Sequence, residues 1–323
     1  MAPTLPAELP HLGPVAGLLE TNGITSAAVY PLPDDLVDIP AWARQHRAEI
    51  RAVLARFGVV LLRNITVELD LFGRIVAAVG GEPLSYRDRS TPRSQVDENI
   101  YTSTEYPADQ RIPLHNENSY ADVWPTLLFF FCALPAQHGG STPVADSRAV
   151  FDRIDADIRT RFADGIVYTR TYRDDLGLGW QEAFQTDSRS EVEDYCARHG
   201  QQCEWDGRVL RTRFHRPSWR TEPSSGSTVW FNQAHLFHVS ALDEEIREAL
   251  LLSYPESDLP RNAYHGDGSP VAADDLGRID EVYRECALTI PWRRGDLMLV
   301  DNMVAAHGRM PYRGARRVLV AMT

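Results

Sequence analysis

The segment Leu114-His115-Asn116-Glu117 sets an imidazole and a carboxylate two residues apart. In extended backbone, residues i and i+2 share a face, so His115 and Glu117 are expected to project together while Asn116 points away. One nitrogen and one oxygen on a common face can chelate a first-row metal, and a third donor must then come from elsewhere. The C-terminal stretch DNMVAAHGRMPYRGARRVLVAM supplies His307, expected just past a strand and followed by the pair Arg316-Arg317. Two histidines and one carboxylate on one side of a metal leave its other positions open, the arrangement of non-haem Fe(II) oxygenases. Their chemistry needs that vacancy, because a cosubstrate and dioxygen must both reach the iron. An HxE pair alone is a weak signal; its order with GGST, a distant histidine and a basic strand gives it weight.

Other uses of the same residue types fit less well. His235 and His238 form an HLFH pattern, but with no third donor nearby and WFNQ just before, they read as core or pocket-wall residues. No GxSxG nucleophile elbow occurs, no GxGxxG follows a predicted strand, and no GxxxxGK[ST] exists, so serine hydrolysis and phosphate cradles lack support. Cys132, Cys196, Cys203 and Cys286 are scattered without a CxxC pair and read as free thiols of a reducing compartment. Arg309 and Arg313 are candidate substrate contacts, although exposed loop arginines are commonplace.

The elements that must position the donors can be traced from hydrophobic periodicity. Ile50, Val53, Leu54 and Phe57 recur at helical spacing and predict a helix over 42–57, stopped by Gly58 and followed by the short buried strand Val59–Leu62. A second helix is expected over 69–79, ending at Gly80-Gly81, and a third over 147–162. The run PTLLFFFCAL (125–134) is continuously apolar and suits a strand covered on both sides, with Gly139-Gly140 turning the chain after it. Further strands are expected over 227–231, 296–302 and 316–322. Many short strands, helices near the N-terminus and no βαβ alternation predict a mainly β chain: a sandwich or jelly-roll core flanked by helices, in one domain spanning 1–323. Residues 1–40 read as an N-terminal arm lying on that domain, and 170–225, which lack a clear period, as an insertion or lid.

Composition narrows the partners. The 323 residues carry 33 Lys and Arg against 45 Asp and Glu, a net charge of −12, which disfavours nucleic-acid backbones and anionic lipid. The longest apolar stretch, 126–136, is too short to span a bilayer. The start MAPTLPAELP has no basic and apolar signal pattern, so no secretory signal and a cytoplasmic location are expected.

The segments HNENSYADVWPTLLFFFCALPAQHGGSTPVADSR, VWFNQAHLFH and DNMVAAHGRMPYRGARRVLVAM, in that order, resemble the TauD/TfdA family of Fe(II)/2-oxoglutarate-dependent dioxygenases. A weaker match runs from the helix near residue 45 to GVVLLRN. The nearest flavour is the clavaminate-synthase-like and SyrP-like branch of specialised metabolism, whose members carry HxE rather than HxD. The resemblance implies a double-stranded β-helix, or jelly-roll, with His115, Glu117 and His307 as catalytic iron ligands. It implies that Thr142 hydrogen-bonds the distal carboxylate of 2-oxoglutarate and that an arginine of the last strand pairs with it. A guanidinium fork suits a carboxylate. Strand patterning leaves Arg316 and Arg317 open, because both faces of RVLVAM are apolar; alignment with the family favours Arg317, with Arg316 pointing outward.

The cofactors implied are Fe(II), 2-oxoglutarate as cosubstrate and O2. The implied substrate is an amino acid or amino-acid-derived unit, free or tethered to a carrier protein, as in antibiotic biosynthesis. Hydroxylation of an unactivated C–H bond is the default outcome; epoxidation, desaturation or ring closure are alternatives, as is a non-catalytic cupin-like module binding a small acid or metal. Taurine-type enzymes carry a second arginine four residues after the first to grip an anionic substrate group, and Ala321 stands there instead. Related halogenases replace the carboxylate of the triad, so Glu117 points to hydroxylation-type chemistry.

Overall fold

The aromatic run Leu127–Leu134 forms the middle of the largest sheet of the computed structural model, which describes residues 17–82, 95–97, 100–102 and 106–323. It lies between Leu297–Asp301 and Arg317–Met322, antiparallel to both. Such a strand needs apolar residues on both faces because both are covered. Phe129 and Phe131 turn outward into a cluster with Ile50, Leu54, Phe72 and Val76 of the N-terminal helices. Phe130 and Cys132 turn inward and meet Val144, Ile290 and Ala305 of a second sheet. The inner cluster is therefore the interior of a jelly-roll closed by two facing sheets.

Among the described residues the large sheet has eight strands, in the order Gly17–Thr21, Ile24–Pro31, Val59–Arg63, Leu297–Asp301, Leu127–Leu134, Arg317–Met322, Ile100–Thr102 and Gln95–Asp97. The facing sheet runs Ala287–Ile290, Thr142–Asp146, Ala305–Arg309, Ile112–His115. The described part of the expected N-terminal arm does not simply lie on the domain. Residues 17–31 form a hairpin whose second strand pairs in parallel with Val59–Arg63, extending the sheet. Residues 1–16 of that arm lie outside the described residues.

The helix expected over 69–79 is present as Leu69–Val79. That expected over 42–57 is divided at His46 into Ile39–Gln45 and Arg47–Phe57; the first is capped by Asp38, whose carboxylate accepts from the Ala41 amide at 3.0 Å. Gly58 ends the second helix at φ +79°, and a Cβ there would meet the Ala305 Cβ at 2.9 Å, so both backbone and space demand glycine. The helix expected over 147–162 is likewise two, Ser147–Arg153 and Ala156–Arg161, separated by extended Ile154 and Asp155.

Residues 170–225, expected as an insertion or lid without a clear period, hold regular strands and helices. Ile166–Tyr172, Val209–Arg216, Gln202–Asp206 and Arg261–His265 build a further four-stranded antiparallel sheet, with helices Trp180–Phe184 and Arg189–Arg198 beside it. Val209–Arg216 does alternate between more and less buried positions, but its inward set is Leu210, Thr212, Phe214 and Arg216, half of it polar. A hydrophobic period cannot register such a strand.

Candidate metal centre

His307 sits inside a strand rather than past one. Ala305–Arg309 runs between Thr142–Asp146 and Ile112–His115, and His307 lies directly opposite His115 across the ladder. The register shifts just after it, and a Cβ on Gly308 would meet the Ile112 carbonyl oxygen at 2.7 Å, so glycine permits the close approach that sets the two imidazoles side by side. Their ring centroids are 4.6 Å apart, and the Phe130 ring packs 5.0 Å from that of His307.

Glu117 reaches the same spot by a route other than the extended HxE expected. The strand ends at His115, and Glu117 opens a turn whose next residue, Asn118, has φ +53°. The bend is held by Asn302, which follows the strand Leu297–Asp301. Asn302 Oδ1 accepts from the Glu117 amide at 2.7 Å, and its Nδ2 donates to the carbonyls of Glu117 and Pro125 at 2.9 and 2.8 Å. Asn116 does point away, as expected, and donates to the Ser147 hydroxyl at 3.0 Å and the Asn302 carbonyl at 2.7 Å. Gln233 closes the network by donating to the Asn116 carbonyl at 2.7 Å. Sequence reasoning did not single out Asn302 or Gln233, although both lie in the segments DNMVAAH and WFNQAH.

The result is a buried donor set. Glu117 Oε2 stands 3.8 Å from Nε2 of both His115 and His307, and the three donor atoms lie within 4.8 Å of one another. His115 Nδ1 is 2.9 Å from the Pro113 carbonyl, which can only accept, so that nitrogen carries the proton and Nε2 presents its lone pair. One carboxylate oxygen and two imidazole nitrogens at this spacing suit a divalent first-row metal. Among the described residues no other group of three such donors converges.

Thr142 and one arginine of the pair complete the inner wall. Thr142 is buried beside the Gly139-Gly140 turn, and Trp292 Nε1 donates to its hydroxyl oxygen at 3.0 Å, which leaves the hydroxyl proton for an acceptor in the cavity. The two arginines take places opposite to those expected. Val318, Val320 and Met322 belong to the inner cluster, Leu319 and Ala321 to the helix-covered one. Arg316, just before the strand, is half-buried near inward Cys132, whereas Arg317 is exposed. Arg316 Nε donates to the Gly140 carbonyl at 3.0 Å, and its guanidinium lies 5.5 Å from the Tyr312 ring centroid. Burial, with Arg309 adding to it, lowers its pKa to about 10. Four residues on from Arg316 stands Val320, and from Arg317 Ala321, so neither count yields a second arginine.

The remaining candidates serve as structure. His235 is buried behind the metal-ligand strand, donates through Nε2 to the Leu114 carbonyl at 2.8 Å and packs on Tyr283; burial lowers its pKa to about 4. His238 Nδ1 pairs with the Ser240 hydroxyl at 2.8 Å. Arg309 is buried and binds the carbonyls of Tyr106, Pro107 and Gln110, fixing that loop beside the site, whereas Arg313 is exposed. All four cysteines are free thiols.

Comparison with known proteins adds the class. The family model described as taurine catabolism dioxygenase TauD, TfdA family matches residues 27–323. The chain belongs to the TauD/TfdA family. Membership makes it a non-haem iron oxygenase that uses 2-oxoglutarate and dioxygen. The dapdiamide synthesis protein DdaC of Enterobacter agglomerans is 38% identical over 276 residues, covering 84% of each chain. A clavaminate synthase-like protein of Arabidopsis thaliana is 28% identical over 317 residues, covering 91% of this chain and 92% of its own. The fold is shared with PvcB of Pseudomonas aeruginosa at a TM-score of 0.57 and 13% identity, over all of this chain and 94% of that one. No helix among the described residues of this TauD/TfdA chain is long and apolar enough to cross a membrane.

Proposed function

We propose that His115, Glu117 and His307 hold ferrous iron and that Thr142 and Arg316 grip the distal carboxylate of 2-oxoglutarate. On this reading the enzyme hydroxylates an unactivated C–H bond of an amino acid or amino-acid-derived unit, free or carrier-tethered, in specialised metabolism in the cytoplasm. The observation that carries it is the meeting of the three donors from two strands and a turn, with the carboxylate equidistant from both imidazoles. The likeness to a protein of dapdiamide synthesis supports an amino-acid-related substrate. Residues 1–323 act as one catalytic unit, the sheet of 166–172, 202–216 and 261–265 being the insertion beside its mouth.

Iron with 2-oxoglutarate and dioxygen supplies an oxidant able to attack an unactivated C–H bond, giving the alcohol, succinate and carbon dioxide. The chain supplies the geometry. The Pro113 carbonyl holds the His115 ring in the tautomer that binds a metal, and Asn302 pins the main chain on both sides of the Glu117 side chain. Phe130 excludes water from the flank of His307. Thr142 and Arg316 meet a carboxylate with a hydroxyl donor and a planar fork.

Anaerobic titration with Fe(II) and 2-oxoglutarate tests the assignment. A weak visible charge-transfer band should grow to one equivalent in the natural enzyme and be absent from Glu117→Ala. No band in the natural enzyme would refute the metal site.

A further inference from the structure

An arginine with no acidic partner among the described residues stands beside the segment that carries Glu117. Arg261 begins the strand Arg261–His265 and lies directly opposite Arg170 in the ladder. Both continue the face that carries Tyr168 and Ala263, because every second residue of a strand shares a side. That face backs onto the metal-ligand segment: the Tyr168 hydroxyl accepts from the Gln233 amide at 2.9 Å, and Gln233 in turn holds the Asn116 carbonyl. The Arg261 guanidinium lies 5.7 Å from the Phe237 ring, which packs 4.9 Å from the ring of Tyr120, three residues after Glu117. Tyr106, on the loop that Arg309 fixes beside His307, also feels its charge.

Among the described residues Arg261 has no ion pair and no hydrogen bond, and its guanidinium lies over the Phe237 ring. Burial, together with the like charge of Arg170 across the ladder, lowers its pKa. A half-buried guanidinium set over an aromatic ring and opposite a second guanidinium carries a cost in the unliganded protein. An anion arriving at Arg261 relieves that cost.

We propose that Arg261 receives the free carboxylate of the substrate, so that the enzyme acts on a small free acid and not on a carrier-bound thioester. This rests on the oxygenase reading above and sharpens its substrate class. It also explains how a family member without the taurine-type second arginine can still hold an anionic substrate: the cation comes from the neighbouring sheet. A guanidinium prefers a carboxylate because two parallel N–H donors match its two oxygens. An ester, amide or thioester of the same compound keeps the shape and loses the charge.

The test is a panel of amino acids and their N-acyl derivatives, each supplied as free acid, methyl ester and primary amide, with aminoacyl thioesters on a phosphopantetheinylated carrier. Substrate-dependent succinate release and a mass gain of one oxygen are followed in the natural enzyme, Arg261→Gln and Arg261→Lys. The free acid should have a KM roughly 10- to 100-fold below that of its ester. Arg261→Gln should raise the KM of the acid by a similar factor, change that of the ester little, and alter kcat less than KM. Arg261→Lys, which keeps the charge and guards against a folding defect, should recover part of the discrimination. Equal use of acid and ester by the natural enzyme, unchanged discrimination in Arg261→Gln, preference for the thioester, or a silent panel would each overturn the proposal. The anaerobic Fe(II)/2-oxoglutarate band separates that failure from failure of the oxygenase reading, because the band forms without substrate.

Discussion

The inside and the outside of the jelly-roll wall are built from the same strands and the same residue types, yet they handle polar groups in opposite ways. On the outside, Phe129, Phe131, Leu319 and Ala321 meet helices, and the one histidine behind the metal-ligand strand, His235, is kept neutral against a carbonyl. On the inside, Phe130 and Val318 share their surface with His307, Glu117, Thr142 and Arg316. The outer face needs nothing beyond its neighbours, and the inner face presents donors and acceptors that suit a metal and an acid. A residue's worth therefore depends on which way its strand turns it, and substitution can separate the two roles.

The largest effect is expected inside. Glu117→Ala should lower substrate-coupled succinate formation at least ~1000-fold, about 4 kcal/mol of barrier, while leaving the circular dichroism and melting profile of the apoprotein near normal. Turnover near the natural level would erase the distinction between the faces at its strongest point.

Phe131→Ala is the converse change. Phe131 is fully buried and stacks on Phe72 at 5.2 Å, so its loss should cost about 3–5 kcal/mol in urea unfolding. Activity per folded molecule should stay within about twofold, because no inward group moves. A large loss of kcat in the folded variant would show that the wall transmits what happens outside it.

His235 permits a test by acidity. Its folded pKa of about 4 lies below the unfolded value of ~6.5, so the unfolded chain binds more protons between the two. The stabilising contribution is complete above pH ~6.5, fades as pH falls towards 4 and is gone below that. Unfolding free energy should therefore drop by roughly 2–3 kcal/mol more between pH 7 and 4.5 in the natural protein than in His235→Gln, whose amide can still donate to Leu114. Parallel pH curves for the two proteins would refute this account of the buried ring.

These contrasts also explain what could be read from the residues before the fold was known. The apolar run 127–134, the helix 69–79 and the HxE pair were legible because each is local: a period, a cap, a spacing. The placement of His307 inside a strand was not, since it depends on a ladder formed with residues almost two hundred positions away. Neither was the strand Val209–Arg216, whose inward side is half polar, nor the support that Asn302 gives Glu117, which links two segments only after folding. Arg261 has no local signature at all; the role proposed for it rests on its having no acidic partner among the described residues.

The smallest contrast is the sharpest, because it concerns two adjacent, identical residues. Arg316 lies inward against the Gly140 carbonyl and Tyr312, and Arg317 lies outward in solvent. Alignment by sequence favours Arg317 as the 2-oxoglutarate anchor; the burial of Arg316 and its contact with the Gly140 turn favour Arg316. Arg316→Met should raise the KM for 2-oxoglutarate about 10- to 100-fold, the worth of a charged hydrogen-bonded pair, and Arg317→Met should change it less than about twofold. Arg316→Lys should recover only part of the loss, since an ammonium cannot form the fork. The reverse ranking would mean that the chain shifts at the irregularity between Arg317 and Val318 when the cosubstrate binds. Such a shift leaves Leu319 and Ala321 under the helices and Val318 and Val320 in the interior, so this pair tests how the chain enters the strand and not the register beyond it.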